Sequence, residues 1–401
     1  MSDLHGAMPG IATGGEGYGY TEEEWLLKKN VRQFCEEFID PRFRESFKAE
    51  TADPLLKEFI KKFGDKGYLR INVPEELGGY GQRLTAQTII LEEVARVNGG
   101  LAIHTGENGG FALLLAIEVP AAFAKWGEAL LSGELIIADA ENSPEGQCNY
   151  SEHADIGRLE GDEWVLNGTK AFSSGASFCD VLMVTGLVDG DMHRWAMDAK
   201  NTPGLKITPA PEMGNSPMYG TIELNNVRVP KEFGAKTGTV INRKKVDAVP
   251  SGKGNAVGTA ALSMGAMGAA FDKTVEYLKH RTTNFQPLAS LGSIQYKLAL
   301  MKCKIEASRS FLIAATRMIE TNHKDAVLYA SLAKAYICDT AREITSDCIQ
   351  LWGCAGYNPD TGIERYLRDA VGFGIGVCTS EMQLATAAKY MGLPGAEFEC
   401  V

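Results

Sequence analysis

The sequence predicts an α+β fold that is mainly helical, in which a block of short strands lies between two helical blocks. Apolar residues recur at three- and four-residue steps over residues 22–131, as they do in amphipathic helices. Over residues 134–230 the pattern changes to short β-branched and aromatic runs separated by turn residues. The helical period returns at about residue 255 and continues to residue 391. The expected order is therefore helical, β, helical.

The first helical block follows a Gly-rich start. Residues 1–18 show no hydrophobic period, and we interpret them as a flexible leader. Residues 19–133 are predicted to form an N-terminal helical domain, because apolar residues such as Trp25, Val31 and Phe38 follow helical spacing.

The middle block, residues 134–240, is predicted to be a compact β domain. Its strand candidates are the short apolar runs at residues 164–166, 181–184, 222–224 and 227–229. Residues 241–401 are predicted to form a C-terminal helical bundle domain. No linker longer than a turn cluster separates the blocks, so we expect them to pack into a single subunit.

Charge and cysteine usage exclude several classes of protein. The net charge of −11, with no dense Lys/Arg block, argues against a nucleic-acid partner. The nine cysteines are scattered and never in CxxC spacing, so we expect no disulfide framework, no metal site and a cytoplasmic location. The apolar run at residues 111–117 is far shorter than the roughly 18 to 20 residues that a bilayer span needs. We therefore expect no membrane partner.

A C-terminal segment carries the most informative motif. Residues 350–383 read QLWGCAGYNPDTGIERYLRDAVGFGIGVCTSEMQ and resemble the C-terminal signature of the acyl-CoA dehydrogenase family. Where that family has an aromatic residue and its catalytic glutamate, this chain has Gly376 and Val377. The resemblance therefore extends to the scaffold and not to the usual base.

Three further segments resemble the same family in the same order. Residues 71–81, INVPEELGGYG, are similar to the family's turn after its early helices. Residues 165–176, VLNGTKAFSSGA, look like its flavin-facing β segment, and residues 229–283 resemble the stretch that includes its pyrophosphate-binding arginine. The resemblance covers residues 22–392, nearly the whole chain.

The resemblance implies roles for individual residues. Phe172 and Ser174 match the aromatic and hydroxyl groups that meet the flavin ring, and Arg281 matches the arginine that binds the flavin pyrophosphate. The remaining matches are Gln350 and Gly353, which imply contacts to the adenosine portion from a neighbouring subunit, and Thr379 and Glu381, which imply contacts on the same subunit.

Two observations limit these assignments. Residues 165–176 on their own fit equally well a plain β-hairpin with Leu166-Asn167-Gly168 at its turn. After Arg281 the family's Phe-Gly pair reads Asn284-Phe285, and its downstream glutamine aligns with Gly292. The ADP half of the cofactor is therefore expected to be held differently.

Family resemblance also implies the fold, the cofactor and the partners. It predicts an acyl-CoA dehydrogenase-like fold with an N-terminal helical domain, a middle β-barrel-like domain and a C-terminal four-helix bundle. It implies FAD as cofactor, an acyl-CoA thioester as substrate, electron-transfer flavoprotein as a potential electron partner, and a homotetramer.

The missing glutamate leaves the catalytic base to be found elsewhere. Val377 cannot accept a proton, although its backbone N–H can still polarise a thioester carbonyl. Some family members carry the carboxylate on the helix preceding the one that ends at Arg281, but the matching position here is Gly258. Our first candidates are Glu107 and His104, which align with the family segment that lines the acyl pocket; the alternative for Glu107 is a helix-end carboxylate.

Three other residues are weaker candidates. Asp139 and Glu141 replace part of a regular family motif beside the flavin, but such residues more often form turns. Cys378 is a nucleophile only if its pKa is lowered, which the sequence does not indicate.

The leading hypothesis is an FAD-dependent oxidoreductase that acts on the α,β-bond of a cyclic or branched acyl-CoA with a relocated acid or base. One alternative is a flavin-containing lyase that acts on an acyl-CoA without net oxidation. Another is a catalytically silent subunit of an acyl-CoA dehydrogenase complex. The acyl group, the electron acceptor and the reaction direction are not determined by the sequence.

Overall fold

The computed structural model describes residues 19–39, 49–144, 153–210, 219–237 and 251–397. The predicted leader lies outside these ranges. The helices are α1 (Glu22–Phe38), α2 (Ala49–Asp65), α3 (Leu84–Ala95), α4 (Gly99–Glu118), α5 (Pro120–Leu131), α6 (Ser251–His280), α7 (Gly292–Glu320), α8 (Ala326–Trp352), α9 (Arg365–Ile375) and α10 (Ser380–Tyr390). The strands are β1 (Ile137–Ala140), β2 (Gly157–Glu160), β3 (Glu163–Ser173), β4 (Val181–Val188), β5 (Asp191–Asp198), β6 (Leu205–Pro209), β7 (Gly220–Pro230), β8 (Gly234–Lys236), β9 (Thr282–Thr283) and β10 (Gln286–Pro287).

The N-terminal helices begin where the sequence supplies capping residues. Thr21 caps α1 in a capping box, because its hydroxyl accepts from the Glu24 N–H at 3.1 Å and the Glu24 carboxylate accepts from the Thr21 N–H at 3.0 Å. The Asn98 side chain caps α4 by accepting from the Leu101 N–H at 3.0 Å. Pro120 occupies the first turn of α5, where its missing N–H costs nothing.

Two four-stranded sheets form the middle domain. One has the order β1-β4-β5-β8 and the other the order β2-β3-β7-β6. Strand β1 pairs in parallel with β4, with Ile137 opposite Val181, whereas β4 and β5 pair antiparallel. Trp195 is fully buried between the sheets, and the first sheet also packs against α4 and α5. This packing attaches the β domain to the N-terminal helices.

The β3 strand differs from the hairpin that residues 165–176 would form alone. Asn167 and Gly168 lie inside β3, where the pairing with β7 shifts register between Leu166 and Gly168. Because β3 is flanked by β2 and β7, both of its edges are paired and the chain continues through this position. The hairpin interpretation is therefore wrong. Likewise, the runs at residues 222–224 and 227–229 belong to one strand, β7.

The C-terminal helices form one core with the N-terminal ones. Helices α6, α7 and α8 pack on one another, α9 and α10 cover α8, and α3 packs against α6. A single apolar cluster contains residues from α1, α2, α3 and α4 together with residues from α6 to α9. The α+β, mainly helical class and the helical, β, helical order are thus confirmed. Within the described ranges, no helix is both long and apolar enough to cross a membrane.

A buried group of charged residues joins these helices, and we call it the helical charge cluster. It consists of Lys28, Arg32, Glu92, Glu93 and Arg309. Arg309 donates to both carboxylate oxygens of Glu92 at 2.7 Å, and Arg32 donates to Glu93 at 2.6 and 3.0 Å. Because Arg309 lies on α7, the cluster connects the N-terminal helices α1 and α3 to the C-terminal helices.

The run 364–369, ERYLRD, is structural. One side carries the half-buried Glu364–Arg368 pair, at 3.3 Å, as helical spacing predicts. Its other side is buried: the Asp369 carboxylate accepts from the Gly99 N–H at 3.3 Å, at the start of α4. The beginning of α4 is thereby fixed against α9.

Candidate active site

A four-residue turn, Gly376 to Thr379, connects α9 to α10 and contains the position of the missing glutamate. Val377 and Cys378 have φ values of 52° and 62°, in the left-handed region that a β-branched residue rarely adopts. Gln383 donates to the Val377 carbonyl at 2.9 Å. Lys334 donates to the Cys378 carbonyl at 2.6 Å and to the carbonyl of Gly374, in the last turn of α9, at 2.9 Å. The surroundings thus fix an unfavourable backbone conformation.

The Val377 N–H is the group of this turn that can act on a substrate. The Val377 side chain is 39% exposed, and no described residue accepts a hydrogen bond from its N–H. The neighbouring Cys378 side chain is buried. A fixed donor that lacks a protein acceptor suits a carbonyl oxygen that becomes more negative during a reaction.

The end of β3 presents an aromatic ring and a hydroxyl at the surface. Phe172 has a φ of 54° and is 58% exposed, an unusual state for a large apolar side chain. Ser174 is half-buried, and its hydroxyl bonds to no residue in the described ranges. An exposed ring beside a hydroxyl fits the planar, polar-edged ring system that the resemblance implies.

His104 and Glu107 lie on α4, directly against this segment. His104 is fully buried, and its Nδ1 is 3.1 Å from Oε2 of Glu107. Its ring packs edge-on to Phe178 and touches Gly175, where an added Cβ would lie 2.8 Å from the His104 Cε1 atom. The structure therefore places the two first candidates together, next to the residue that follows Ser174.

Asp139 and Glu141 belong to a second charged group, the middle charge cluster, which is buried apart from the Glu141 side chain, 37% exposed. It consists of Glu118, Asp139, Glu141, Lys170 and Arg194. Arg194 contacts all three carboxylates; its Nη2 is 3.2 Å from Glu141 and 4.0 Å from Asp139. Burial, reinforced by Glu141, raises the pKa of Asp139 well above its usual range. Asp139 lies inside β1, so the interpretation of this residue as a turn former is wrong.

The middle charge cluster is adjacent to the exposed end of β3. Lys170 donates to the Glu141 carbonyl at 2.9 Å, and the Ala171 N–H donates to the Asn142 carbonyl at 3.0 Å. Residues 141–142 therefore run beside the residues that immediately precede Phe172. The cluster fixes the backbone on which the exposed ring is mounted.

Three further predicted residues lie at one end of the helical bundle. Tyr277 and Trp352 stack with ring centroids 4.0 Å apart, which brings the end of α6 beside the end of α8. Arg281 follows α6 and is exposed, and its guanidinium forms no ion pair with a described residue. Gln350 and Gly353 flank Trp352 and are also exposed; Gly353 has φ 60° and ψ −137°, a conformation essentially restricted to glycine.

Thr379 and Glu381 lie at the N-terminus of α10. The Thr379 hydroxyl accepts from the Met382 N–H at 3.4 Å and caps the helix. Hydrogen bonds from its own backbone N–H and from Thr379 lower the pKa of the exposed Glu381 carboxyl. The helix end supplies donors, while Glu381 adds a negative charge that a phosphate group has to avoid.

Gly258, the alternative position for a family carboxylate, is buried in α6. A Cβ there would lie 3.4 Å from Cδ1 of Leu91, and a Cβ at Gly106 on α4 would lie 3.0 Å from its Cδ2. The Leu91 methyl groups therefore face both glycines, and the Gly258 surroundings are apolar.

The residues fit a flavin. The groups that would hold it are Phe172, Ser174, Thr379, Arg281, Gln350 and Gly353, and several of these lack a polar partner within the described ranges. Sequence reasoning missed Lys334 and Gln383, which hold the Val377 turn. The available signal was a single lysine inside the otherwise apolar run of α8, because a lysine is rarely fully buried unless it is paired.

Comparison with known proteins agrees with the fold. The family model for the acyl-CoA dehydrogenase N-terminal domain matches residues 21–134, and the model for the C-terminal domain matches residues 253–392. The structure of butyryl-CoA dehydrogenase from Megasphaera elsdenii superposes with a TM-score of 0.82 at 24% identity, over 92% of this chain and 98% of that chain.

Two curated relatives align along nearly their whole length. The 3-(aryl)acrylate reductase of Clostridium sporogenes (strain ATCC 15579) is 30% identical over 383 residues, which are 92% of this chain and 98% of the relative. The cyclohex-1-ene-1-carbonyl-CoA dehydrogenase of Geobacter metallireducens (strain ATCC 53774 / DSM 7210 / GS-15) is 29% identical over 364 residues, 87% of this chain and 93% of the relative. The chain belongs to the acyl-CoA dehydrogenase family, the FAD-dependent oxidoreductases that act on the CH–CH bond of acyl-CoA thioesters.

Proposed function

We propose that this enzyme acts on the α,β-bond of an acyl-CoA thioester with a cyclic or branched acyl group, and that His104 and Glu107 replace the missing glutamate. The observation that carries the proposal is the His104–Glu107 contact of 3.1 Å, packed against Gly175 beside the exposed Phe172 and the half-buried Ser174. When bound, FAD supplies the hydride acceptor or donor.

The Val377 N–H has the first role in this reaction. It donates to the thioester carbonyl oxygen and makes the α-carbon proton more acidic, a role that requires only a fixed backbone donor. The turn that contains it is held by side chains of α8 and α10, so the donor does not have to reorganise as the oxygen gains charge.

The His104–Glu107 pair has the second role, which is to hold or release the α-proton. Imidazole and carboxylate groups can both take up or deliver a proton in a reaction, and here the His104 Nδ1 lies 3.1 Å from Oε2 of Glu107. The pair is on α4, whose first residue is fixed against α9 by Asp369. Helix α9 leads directly into the Val377 turn, so the two roles reside on elements that are in contact.

The small residues around the turn support a bulky acyl group. Gly376 and Val377 stand where the family has an aromatic residue and a glutamate, and a Cβ at Gly372 or Gly374 would meet nothing within 4 Å. Two relatives are named for ring-bearing compounds, an arylacrylate and a cyclohexene-carbonyl thioester. We therefore propose a ring directly on, or one carbon from, the reacting bond.

Anaerobic visible spectroscopy tests this proposal. The purified protein is titrated with saturated and α,β-unsaturated thioesters that carry straight, branched, alicyclic or aryl groups. We expect the oxidised flavin band to bleach with a saturated cyclic or aryl thioester, or the reduced band to reoxidise with its unsaturated counterpart. Turnover without any change of the flavin band would contradict the proposal and indicate lyase chemistry.

Substitutions test the acid–base pair separately. His104→Gln and Glu107→Gln are each expected to slow the flavin change by about 10²–10⁴-fold, the usual contribution of general acid–base catalysis. The matched controls are His280→Gln and Glu276→Gln, which alter an exposed His–Glu contact of 2.7 Å elsewhere and should leave the rate unchanged. Equal rates in all four variants would exclude His104 and Glu107 from the reaction.

We also propose a homotetramer and electron-transfer flavoprotein as electron partner. Exposed apolar residues support the assembly, because Phe285 is fully exposed and Tyr296 is 74% exposed. Tyr296 also lines a groove of about 290 Å³ between α7 and α8. Sedimentation measurements distinguish a tetramer from a monomer, and reduction of electron-transfer flavoprotein by the substrate-reduced enzyme tests the partner.

A further inference from the structure

We infer that Lys334 is a positioning residue for the proposed reaction: its buried side chain holds the turn that presents the Val377 N–H to the thioester carbonyl. The inference rests on the proposed function, because a positioned donor matters only if a carbonyl oxygen binds there. It adds a residue that no motif of the sequence indicated.

The Lys334 side chain contacts the Val377 turn from helix α8. The residue is fully buried on α8, and its Nζ donates to the carbonyls of Gly374 at 2.9 Å and Cys378 at 2.6 Å. These two carbonyls bracket Gly376 and Val377. One ammonium group thus joins the backbone on both sides of the peptide unit that carries the Val377 N–H.

The end of α9 explains why a cation can be buried there. The last carbonyls of a helix have no partner within the helix, and they carry the negative end of its dipole. Gly374 provides one such carbonyl, and the Cys378 carbonyl lies just before the cap of α10. An apolar side chain in place of Lys334 would leave both carbonyls without this donor in a buried place.

The backbone of the turn needs this restraint. Val377 and Cys378 both have positive φ values, and such strain persists only where several contacts impose it. Gln383 supplies a further contact by donating to the Val377 carbonyl at 2.9 Å. The carbonyls of residues 374, 377 and 378 thus all accept hydrogen bonds from side chains. The Val377 N–H remains available to a ligand, because no described residue accepts a hydrogen bond from it.

The charge of Lys334 adds to the effect. The positive charge of Lys334 near the Val377 turn stabilises negative charge on the thioester oxygen that the Val377 N–H binds, because a buried site screens this interaction less than water does. Loss of Lys334 is therefore expected to weaken the polarisation of the carbonyl more than the binding of the CoA portion.

The ultraviolet band of a bound arylacryloyl thioester measures that polarisation. The experiment uses the FAD-loaded enzyme and 3-phenylacryloyl-CoA, and records the difference spectrum and the dissociation constant together. We expect a shift to longer wavelength with the unaltered enzyme, loss of at least half of that shift in Lys334→Met, and a change in dissociation constant below about tenfold. The kcat should fall by about 10–10³-fold, as when an oxyanion donor is displaced.

Two further variants make the result decisive. Lys302→Met removes a half-buried lysine that pairs with Glu306 within α7, and it should leave the shift unchanged. Gln383→Leu removes the contact to the Val377 carbonyl and should reduce the shift partially; it replaces Lys334→Met if that variant does not fold. A full shift in a folded Lys334→Met, or in Gln383→Leu when it serves as the replacement, would overturn the inference. If the unaltered enzyme binds the thioester with no shift, the carbonyl does not reach the turn and the proposed role of Val377 fails first.

Discussion

The helical charge cluster and the middle charge cluster are both largely buried, yet their carboxyl groups respond to burial in opposite ways. In the helical charge cluster, burial alone would raise the pKa of Glu92, but Arg309 and Lys28 outweigh it and hold the pKa well below the ordinary value. In the middle charge cluster, burial and Glu141 raise the pKa of Asp139, and Arg194 compensates only in part.

The difference is explained by the number of charges. Two carboxylates of the helical charge cluster face its three cationic side chains, and Arg96 lies 3.9 Å from Glu93 as well. In the middle charge cluster Arg194 contacts three carboxylates, and Lys170 adds one further positive charge near Asp139. Complete pairing makes the first cluster a rigid joint of the scaffold. The excess of acid in the second leaves the Asp139 carboxyl with a raised pKa, beside the exposed end of β3.

The largest expected effect is the loss of Glu92. Glu92→Gln should destabilise the enzyme by about 3–5 kcal/mol, because Arg309 and Lys28 would remain buried without their carboxylate. Urea unfolding of the FAD-loaded protein, followed by circular dichroism, measures the change. An effect as small as that expected for Asp139→Asn would show that charge balance does not distinguish the clusters.

Acid pH should weaken the helical charge cluster next. The folded pKa values of Glu92 and Glu93 lie below the ordinary value of 4.5, so the unfolded chain binds more protons between the two. The contribution of each group is complete above pH 4.5 and falls with pH below it, by up to about 1.4 kcal/mol per pH unit. Urea midpoints from pH 3 to 6 test this slope, which should be shallower in Glu92→Gln.

Asp139→Asn should change the free energy of unfolding much less than Glu92→Gln does. The contribution of Asp139 also depends on pH in the opposite direction to that of Glu92. The folded pKa of Asp139 lies above its ordinary value of 3.8, so the folded protein holds a proton that the unfolded chain releases, and stability falls as pH rises through that window. Asparagine imitates the protonated group. We expect loss of that fall and, at pH values inside this window, a change in the free energy of unfolding within about 1 kcal/mol; an unchanged fall in Asp139→Asn would show that another group causes it.

The smallest effect is expected at the surface. Arg228 pairs with Glu163 at 3.0 Å and with Glu160 at 3.2 Å, and all three side chains are exposed. Arg228→Ala should leave the urea midpoint unchanged, because solvent screens such pairs. A clear loss of stability would show that exposed pairs also matter in this protein and would weaken the contrast between exposed and buried charge.

Much of the fold followed from periodicity and motif order. Helical spacing and β-branched runs predicted the three blocks, because long amphipathic segments carry their own signal. Residues Leu166-Asn167-Gly168 fitted both a hairpin turn and a continuous strand, since local turn preference cannot reveal that β2 and β7 pair with the two edges of β3. Tertiary pairing decided that position.

The sequence indicated the site residues whose side chains can carry acid–base chemistry. It did not indicate a role for the residues whose side chains bind backbone carbonyl groups. His104 and Glu107 were candidates as titratable groups in a pocket-lining segment, and the structure brings them together; their catalytic role stays a prediction. Lys334 and Gln383 bind backbone carbonyl groups, which every residue has, so no motif marks these two side chains; the lone lysine in the apolar run of α8 indicated only that Lys334 is buried and paired. Asp139 looked like a turn former because its partners Thr185 and Arg194 are distant in the chain.

The pairing of Glu92 with Arg309 also has a consequence for synthesis. The two residues are 217 positions apart, and the whole β domain is made between them. At a ribosomal rate of roughly 5–20 residues per second, Glu92 waits on the order of 10–40 seconds for its partner. During this time Lys28 and Arg32 are available to pair with Glu92 and Glu93, but the apolar surface that α6 to α9 later cover is exposed on the nascent N-terminal helices, so the early chain is balanced in charge before its apolar core is closed.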